Sequence, residues 1–101
     1  MAQNYSIVVN QAGNAARKSD RSIGVQHTTG SGEYDVTFPE DVNVWMWQAT
    51  LGAPDGTFQW AGSVTTELGG MGAADTVRVR TFDFTGVQED RSFHLYVSRV
   101  R

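Results

Sequence analysis

The feature that most constrains this chain is a strict alternation of apolar and polar residues in short segments. In residues 33–38, Tyr34, Val36 and Phe38 fall on one side of an extended chain, and polar residues fall on the other. A β-strand with one buried face gives this period of two, because successive side chains point to opposite faces of a sheet. Pro39 lacks the backbone N–H that a sheet ladder needs, so the strand is expected to end there.

Residues 43–51 repeat the pattern after a short acidic corner. The residues of one phase are wholly apolar and are expected to face the core. They are Trp45, Trp47, Ala49 and Leu51. The residues of the other phase are apolar at the start and polar at the end, which indicates that one end of the outer face is also covered. They are Val44, Met46, Gln48 and Thr50.

Five further segments have strand character, which brings the predicted number of strands to seven. They are residues 4–10, 22–27, 57–66, 75–82 and 92–100. Turn-forming residues separate each neighbouring pair. The strongest turn is Pro54-Asp55-Gly56, in which proline fixes φ and glycine accepts a positive φ. This turn is expected to fold residues 57–66 back beside the tryptophan-containing strand.

Two segments lack strand character. Residues 11–21 are polar and have no apolar stripe to bury, so they are expected to form a loop. Residues 68–74 are rich in glycine and are expected to form the most flexible loop of the chain. Gly62 interrupts the alternation of its segment and is expected to mark a β-bulge.

Seven short strands with a turn between each pair predict an all-β protein. The expected fold is an antiparallel β-sandwich of jelly-roll or immunoglobulin-like type, with no substantial helix. With 101 residues, the chain is expected to form a single domain over residues 1–101. A chain of this length buries about 60 to 70 per cent of its unfolded surface, which is enough for one core.

Composition excludes several classes of protein. The net charge is −3 and neither half of the chain is basic, which argues against a nucleic-acid partner. No basic amphipathic segment indicates membrane binding. The absence of cysteine removes disulfides, zinc fingers and thiol catalysis. The amino-terminal residues lack the features of a signal peptide, so synthesis in the cytoplasm is expected, with later release into a virion or extracellular assembly as one route.

No catalytic, cofactor-binding or metal-binding motif is present. His27 and His94 are the two histidines, and no nucleophile elbow surrounds any serine. The glycines of residues 68–72 precede a strand and lack the lysine of a phosphate loop. Acidic turns at residues 40–41, 83 and 89–90 lack the alternating spacing of a dedicated calcium loop. The chain is therefore expected not to be an enzyme and to need no cofactor.

One set of outward residues is a candidate interaction surface. Arg78 and Arg80 share a face of one strand, and His94 and Tyr96 share a face of another. If these strands pair, the four side chains form one cationic and aromatic patch, of the composition common in interface cores. This patch is either a subunit interface or ligand face, or an ordinary exposed sheet face. Three further residues complete the candidate interface or ligand set, namely Met46, Gln48 and Trp60.

Three stretches place strand and turn residues in a recognisable order. They are Gly32-x-Tyr34-x-Val36-x-Phe38-x-x-Asp41-Val42, then Ala49-Thr50-Leu51-Gly52, then Val77-x-Val79-x-Thr81-Phe82-Asp83-x-x-Gly86-x-x-x-Asp90-Arg91-x-Phe93-His94-Leu95-x-Val97. Over residues 22–97 this pattern resembles a small all-β module. The module is found at the ends of fibrous or collagen-like bacterial surface proteins and of phage tail-fibre-like proteins.

The resemblance implies a non-enzymatic structural or binding module that self-associates in a phage-like virion or a cell-surface assembly. It implies a homo-oligomer, with a trimer among the candidate arrangements, and a glycan or host-surface molecule as a candidate ligand. Members often carry a cysteine near the position of Trp45 and another near the carboxyl terminus, whereas residues 98–101 contain none. This departure suggests a version that matures without oxidation. The alternative function is a carbohydrate-binding, lectin-like module, in which at least one tryptophan is exposed beside polar groups.

Overall fold

The computed structural model describes residues 4–57, 61–69 and 72–99, which form two four-stranded antiparallel sheets and no helix. Alternating β-branched and aromatic residues account for this choice of secondary structure. The strands are β1 (Asn4–Val9), β2 (Ala15–Lys18), β3 (Gly24–His27), β4 (Glu33–Thr37), β5 (Met46–Leu51), β6 (Gly62–Gly69), β7 (Ala73–Asp83) and β8 (Phe93–Ser98).

The first sheet has the strand order β2-β1-β8-β5, and the second has the order β3-β4-β7-β6. All pairings are antiparallel. The prediction of an all-β antiparallel sandwich is confirmed, with eight strands in the described residues instead of seven. Strands β1 and β8 are adjacent in the first sheet, so the two ends of the described chain are tied together by a long-range pairing.

The core lies between the sheets and follows the alternation of the sequence. In β4, in β8 and over residues 77–81 of β7, every second residue is fully or almost fully buried, as the pattern predicts. Burying each such side chain contributes about 1.5 to 3 kcal/mol relative to leaving it exposed. The largest buried side chains include Tyr34, Phe93, Ile7, Ile23 and Leu95.

The predicted inward phase of residues 45–51 is also confirmed, although these residues are only partly buried and β5 begins at Met46. Trp45, Trp47, Ala49 and Leu51 pack against the core, while Met46, Gln48 and Thr50 are exposed on the other side. The indole N–H of Trp47 donates to the carbonyl of Val42 at 2.9 Å, so this ring is fixed in orientation.

The prediction of a loop over residues 11–21 is wrong, because β2 lies within it. Ile7 and Val8 of β1 stand opposite Lys18 and Arg17 of β2, and a bulge follows between Val8 and Val9. All four residues of β2 are exposed. The strand is held by backbone pairing at a sheet edge, so no burial pattern marks it in the sequence.

The prediction that residues 57–66 fold back beside the tryptophan-containing strand is confirmed for the position of β6, which lies next to β5, but the two strands are not paired. The turn forms, since the Gly56 N–H donates to the Ala53 carbonyl at 3.1 Å. However, β6 begins at Gly62 and pairs with β7, whereas β5 pairs with β8. The chain therefore crosses from one sheet to the other after this turn. Residues 58–60, which include Trp60, lie outside the described residues.

Two predictions about glycines need correction. Gly62 stands in regular register opposite Asp83, and the irregularity of β6 lies between Leu68 and Gly69. Gly62 is required there for a different reason, because a Cβ at this position would lie 2.0 Å from the Phe82 carbonyl oxygen. The loop predicted over residues 68–74 is shorter than expected, since β6 runs to Gly69 and β7 begins at Ala73.

Candidate interaction face

Across β5, β8 and β1, the outer face of the first sheet is a grid of three rows, and β2 extends the sheet beyond β1 with Arg17 opposite Val8. The register places Gln48 opposite Tyr96 and Tyr96 opposite Ser6 in the middle row. The nine outward residues are Met46, Ser98 and Asn4, then Gln48, Tyr96 and Ser6, then Thr50, His94 and Val8. None is an acid, a lysine or an arginine. We call this grid the uncharged face.

The uncharged face combines exposed apolar surface with a groove. Met46 and Tyr96 are 50% and 40% exposed, which is high for large apolar and aromatic side chains. The groove has a volume of about 400 Å³ and is lined by side chains of the two lower rows together with the strand backbone between them. The His94 ring packs over Gly52, where a Cβ would lie 2.9 Å from Nε2. Arg17 lies beside this region and donates to the Pro54 carbonyl at 2.7 Å.

The outer face of the second sheet has the opposite character. The Arg78 guanidinium donates to both carboxylate oxygens of Asp35, at 3.0 and 3.2 Å. Arg80 donates to Glu33 at 3.2 Å and pairs with Glu67 across the neighbouring strand. Hydrogen bonding to Asp35 raises the pKa of Arg78 above its usual value. These five residues form what we call the ion-paired face.

The single cationic and aromatic patch predicted from the sequence does not exist, because β7 and β8 belong to different sheets. Arg78 and Arg80 lie on the ion-paired face, with their charges committed to carboxylates. His94 and Tyr96 lie on the uncharged face. The structure instead brings His94 and Tyr96 together with Met46 and Gln48, which the sequence analysis also selected. Trp60, the remaining candidate, lies outside the described residues.

His27 is a structural residue. Its side chain is 2% exposed and its ring stacks on Tyr34 at a centroid distance of 3.9 Å. Nδ1 lies 2.7 Å from the Glu33 carbonyl and Nε2 lies 3.1 Å from Asp90 Oδ2. Both ring nitrogens are therefore engaged by groups of the protein itself, so neither is free to contact a substrate.

Asp90 completes this arrangement. Its carboxylate accepts backbone N–H groups from Gly30 at 2.7 Å and Gly32 at 2.8 Å. Burial opposes the negative charge, but these two N–H groups and His27 outweigh it and hold the pKa of Asp90 below its usual value. The contacts fasten the turn before β4 to the segment before β8.

Trp45 belongs to an aromatic cluster at one end of the sandwich and does not form an open sugar-stacking platform. Its ring stacks on Tyr5 at 5.7 Å, and the Arg99 guanidinium lies 5.0 Å above it, within the range of a cation–π contact. Arg99 also donates to Glu40 at 3.2 Å. The Tyr5 hydroxyl donates to the same carboxylate, and this bond and burial raise the pKa of Tyr5 to about 12.

Three turns use one motif that the sequence analysis missed, in which Asp is followed two residues later by Ser or Thr. In each turn the Asp Oδ1 accepts both the backbone N–H and the hydroxyl of that later residue. These bonds lower the pKa of each aspartate. The pairs are Asp20 with Ser22, Asp55 with Thr57 and Asp83 with Thr85. The spacing alone does not identify such a turn, because Asp35 and Thr37 have the same spacing within β4.

A second groove lies at one end of the sandwich, with a volume of about 990 Å³. Phe84, Gln88, Glu89 and Arg91 contribute to its wall. The Arg91 side chain is 9% exposed and pairs with Glu89, yet its buried Nε has no hydrogen-bond partner. A buried donor without an acceptor is uncommon in folded proteins, so this groove is the other candidate site.

Within residues 4–57, 61–69 and 72–99, no group of three or more His, Asp or Glu side chains is placed to hold a metal ion. Nor does this part of the chain contain a helix long and apolar enough to span a membrane. No family model matches the sequence, and no curated protein or solved structure matches it either.

Proposed function

We propose that the protein is a non-enzymatic module that associates with further copies of itself through the uncharged face. The observation that carries this proposal is the contrast between the two outer faces. On the ion-paired face, Arg78 and Arg80 are already paired with carboxylates of the same copy. On the uncharged face, Met46 and Tyr96 are exposed and have no charged neighbours within the grid.

Charge explains why the uncharged face suits a second copy. Covering the ion-paired face would desolvate five charged groups, and this penalty is recovered only with excellent geometry. Covering Met46 and Tyr96 removes apolar area from water, which is favourable at about 25 cal/mol per Å². Aromatic residues and methionine are enriched in interfaces, whereas lysine and acidic residues are depleted.

The size of the face sets the strength of association. Three strands of six residues cover roughly 20 by 14 Å, or about 300 Å² of flat sheet. A stable complex usually buries about 800 Å² on each partner. The isolated module is therefore expected to associate weakly. Repeated copies in one assembly would strengthen such a contact through their high effective concentration.

The proposed setting is a phage-like virion or a cell-surface assembly of identical copies. It rests on the resemblance of residues 22–97 to the modules that end fibrous surface and tail-fibre-like proteins. A contact too weak to hold two free copies suits this setting, because an assembly positions many copies side by side. A trimer is one arrangement, and the order of the oligomer follows directly from sedimentation.

A pair of matched substitutions tests the proposal. Gln48→Lys adds a charge to the uncharged face, and Gln26→Lys adds the same charge at an exposed position of β3, opposite Asp35 of the second sheet. In sedimentation velocity from 10 µM to 1 mM, the wild type and Gln26→Lys should associate equally. Gln48→Lys should weaken association at least tenfold. A wild type that stays monomeric at 1 mM, or equal effects of both substitutions, would overturn the proposal.

The second candidate function, carbohydrate binding, is favoured by the groove at the end of the sandwich. The exposed ring of Phe84 offers a stacking surface, and the unpartnered Nε of buried Arg91 calls for an oxygen acceptor. Sugar hydroxyls would also form hydrogen bonds with the side chains of Gln88 and Glu89, which line this groove. Titration with a panel of neutral and acidic oligosaccharides, followed by NMR, should shift the amides of these residues if this function holds. The absence of any chemical-shift change at millimolar sugar would rule out carbohydrate binding.

A further inference from the structure

The turn between β7 and residue 88 presents two apolar side chains to solvent. Phe84 is 82% exposed and Val87 is 61% exposed. Single exposed apolar residues are ordinary on protein surfaces, but two on one short turn form a compact apolar projection. We call residues 83–87 the apolar turn.

The apolar turn is rigidly built. Asp83 Oδ1 accepts the Thr85 N–H at 2.8 Å, the Thr85 hydroxyl at 2.6 Å and the Val87 N–H at 3.1 Å. The Asp83 N–H donates to the Val87 carbonyl, and Gly86 has the positive φ of +88° that closes the turn. The projection is thus held in place before any contact forms, which lowers the entropy lost on binding.

The groove of the uncharged face matches this projection in size and charge. A cavity of about 150 Å³ is large enough for a benzene ring, and this groove measures about 400 Å³. It therefore has room for the Phe84 ring and part of Val87. Residues 84–87 carry no charge, and the Asp83 carboxylate is bonded within its own turn. No like-charge repulsion opposes their meeting.

From these observations we infer that the apolar turn of one copy inserts into the groove of the next copy. The groove is lined by residues of β1, β5 and β8, and the apolar turn contributes none of them. One copy can therefore use both surfaces at once. A contact between two different surfaces is heterologous, so it builds rings or open chains and not closed pairs. This inference rests on the proposed function and names the partner segment that the uncharged face receives.

A mixing experiment tests the inference. Phe84→Ala removes the projection but keeps the groove, and Gln48→Lys impairs the groove but keeps the projection. In sedimentation velocity at 1 mM, each variant alone should associate at least tenfold more weakly than the wild type. An equimolar mixture should recover a dimer and nothing larger, while the wild type forms larger species. Leu68→Ala, which trims an exposed apolar side chain of β6 in the second sheet, should behave as the wild type.

The outcomes separate this inference from the proposed function. If Phe84→Ala associates as the wild type does and only Gln48→Lys is impaired, the uncharged face pairs with itself. The insertion is then wrong, while the proposed function stands. If both variants are impaired and the mixture fails to recover a dimer, the insertion is likewise wrong. A wild type that remains monomeric overturns both.

Discussion

His27 Nε2 lies 3.1 Å from Asp90 Oδ2, and this contact joins two segments that are 63 residues apart in the chain. The opposite ring nitrogen faces the Glu33 carbonyl. Together the two contacts hold the buried imidazole in place and fasten the turn before β4 to the segment before β8.

Asp90→Ala is expected to destabilise the fold strongly. It leaves the N–H groups of Gly30 and Gly32 and the buried ring of His27 without their acceptor. Losses of this kind typically cost about 2 to 4 kcal/mol. Denaturant unfolding measures the difference in free energy. The control Asp41→Ala removes an exposed carboxylate and should change the free energy by less than about 0.5 kcal/mol. Equal effects of the two substitutions would contradict this account.

Acid is expected to remove the contribution of Asp90 to the stability of the fold. Its pKa is lower in the folded protein than its ordinary value of 3.8, so folding favours the ionised form. The stabilisation is fully present above about pH 4 and is lost as the pH falls through the lowered folded value. The gap in unfolding free energy between the wild type and Asp90→Asn should therefore narrow below pH 4. A gap that widens with acid would have the wrong sign.

Alkali is expected to destabilise the protein through Tyr5. Its hydrogen bond to Glu40 and its burial raise its pKa to about 12 from 10.0, so folding favours the neutral hydroxyl. The stabilisation is present below pH 10 and is lost as the pH rises towards 12. Tyr5→Phe should lower the free energy of unfolding by about 1 kcal/mol at pH 7. The variant should also lose less of this free energy than the wild type between pH 10 and 12, as measured by denaturant unfolding. An equally steep decline of the unfolding free energy in Tyr5→Phe and in the wild type would contradict this assignment.

The ion-paired face is expected to contribute to stability and not to association. Arg80 bridges Glu33 and Glu67, but these side chains are 30 to 43% exposed, so solvent screens the interaction. Arg80→Met should cost about 0.5 to 1 kcal/mol, and the cost should shrink in 1 M salt. Sedimentation of this variant should match the wild type. Weaker self-association would show that the second sheet also takes part.

The sequence predicts which side of each strand is buried because the period of apolar residues records burial directly. Tyr34 and Val36 in β4, and Leu95 and Val97 in β8, follow that rule. The period does not reveal which strands pair, since β7 and β8 carry the same alternation and yet lie in different sheets. For this reason the alternation alone cannot show that Arg78 and Arg80 lie on a different sheet from His94 and Tyr96.

The wrong predictions for β2 and for the pairing of β6 have similar physical causes. β2 is an exposed edge strand held by backbone bonds, so its side chains carry no signal of burial. The turn at Pro54 forms as its residues predict, but turn chemistry alone does not decide whether the next strand joins the same sheet. The Asp-x-Ser/Thr spacing is an incomplete signal for a turn, because Asp35 and Thr37 share it within β4. The grid of Met46, Gln48 and Tyr96 depends on register, which only long-range pairing sets.

Changes in NMR chemical shift with protein concentration test most directly whether copies associate through the uncharged face. Spectra of the wild type between 10 µM and 1 mM report which residues change environment as copies meet. The account predicts changes at the Met46 methyl group and at the amides of Gln48, His94 and Tyr96. It predicts none at Gln26 or Arg78. Shifts confined to the ion-paired face, or no shift anywhere up to 1 mM, would contradict it.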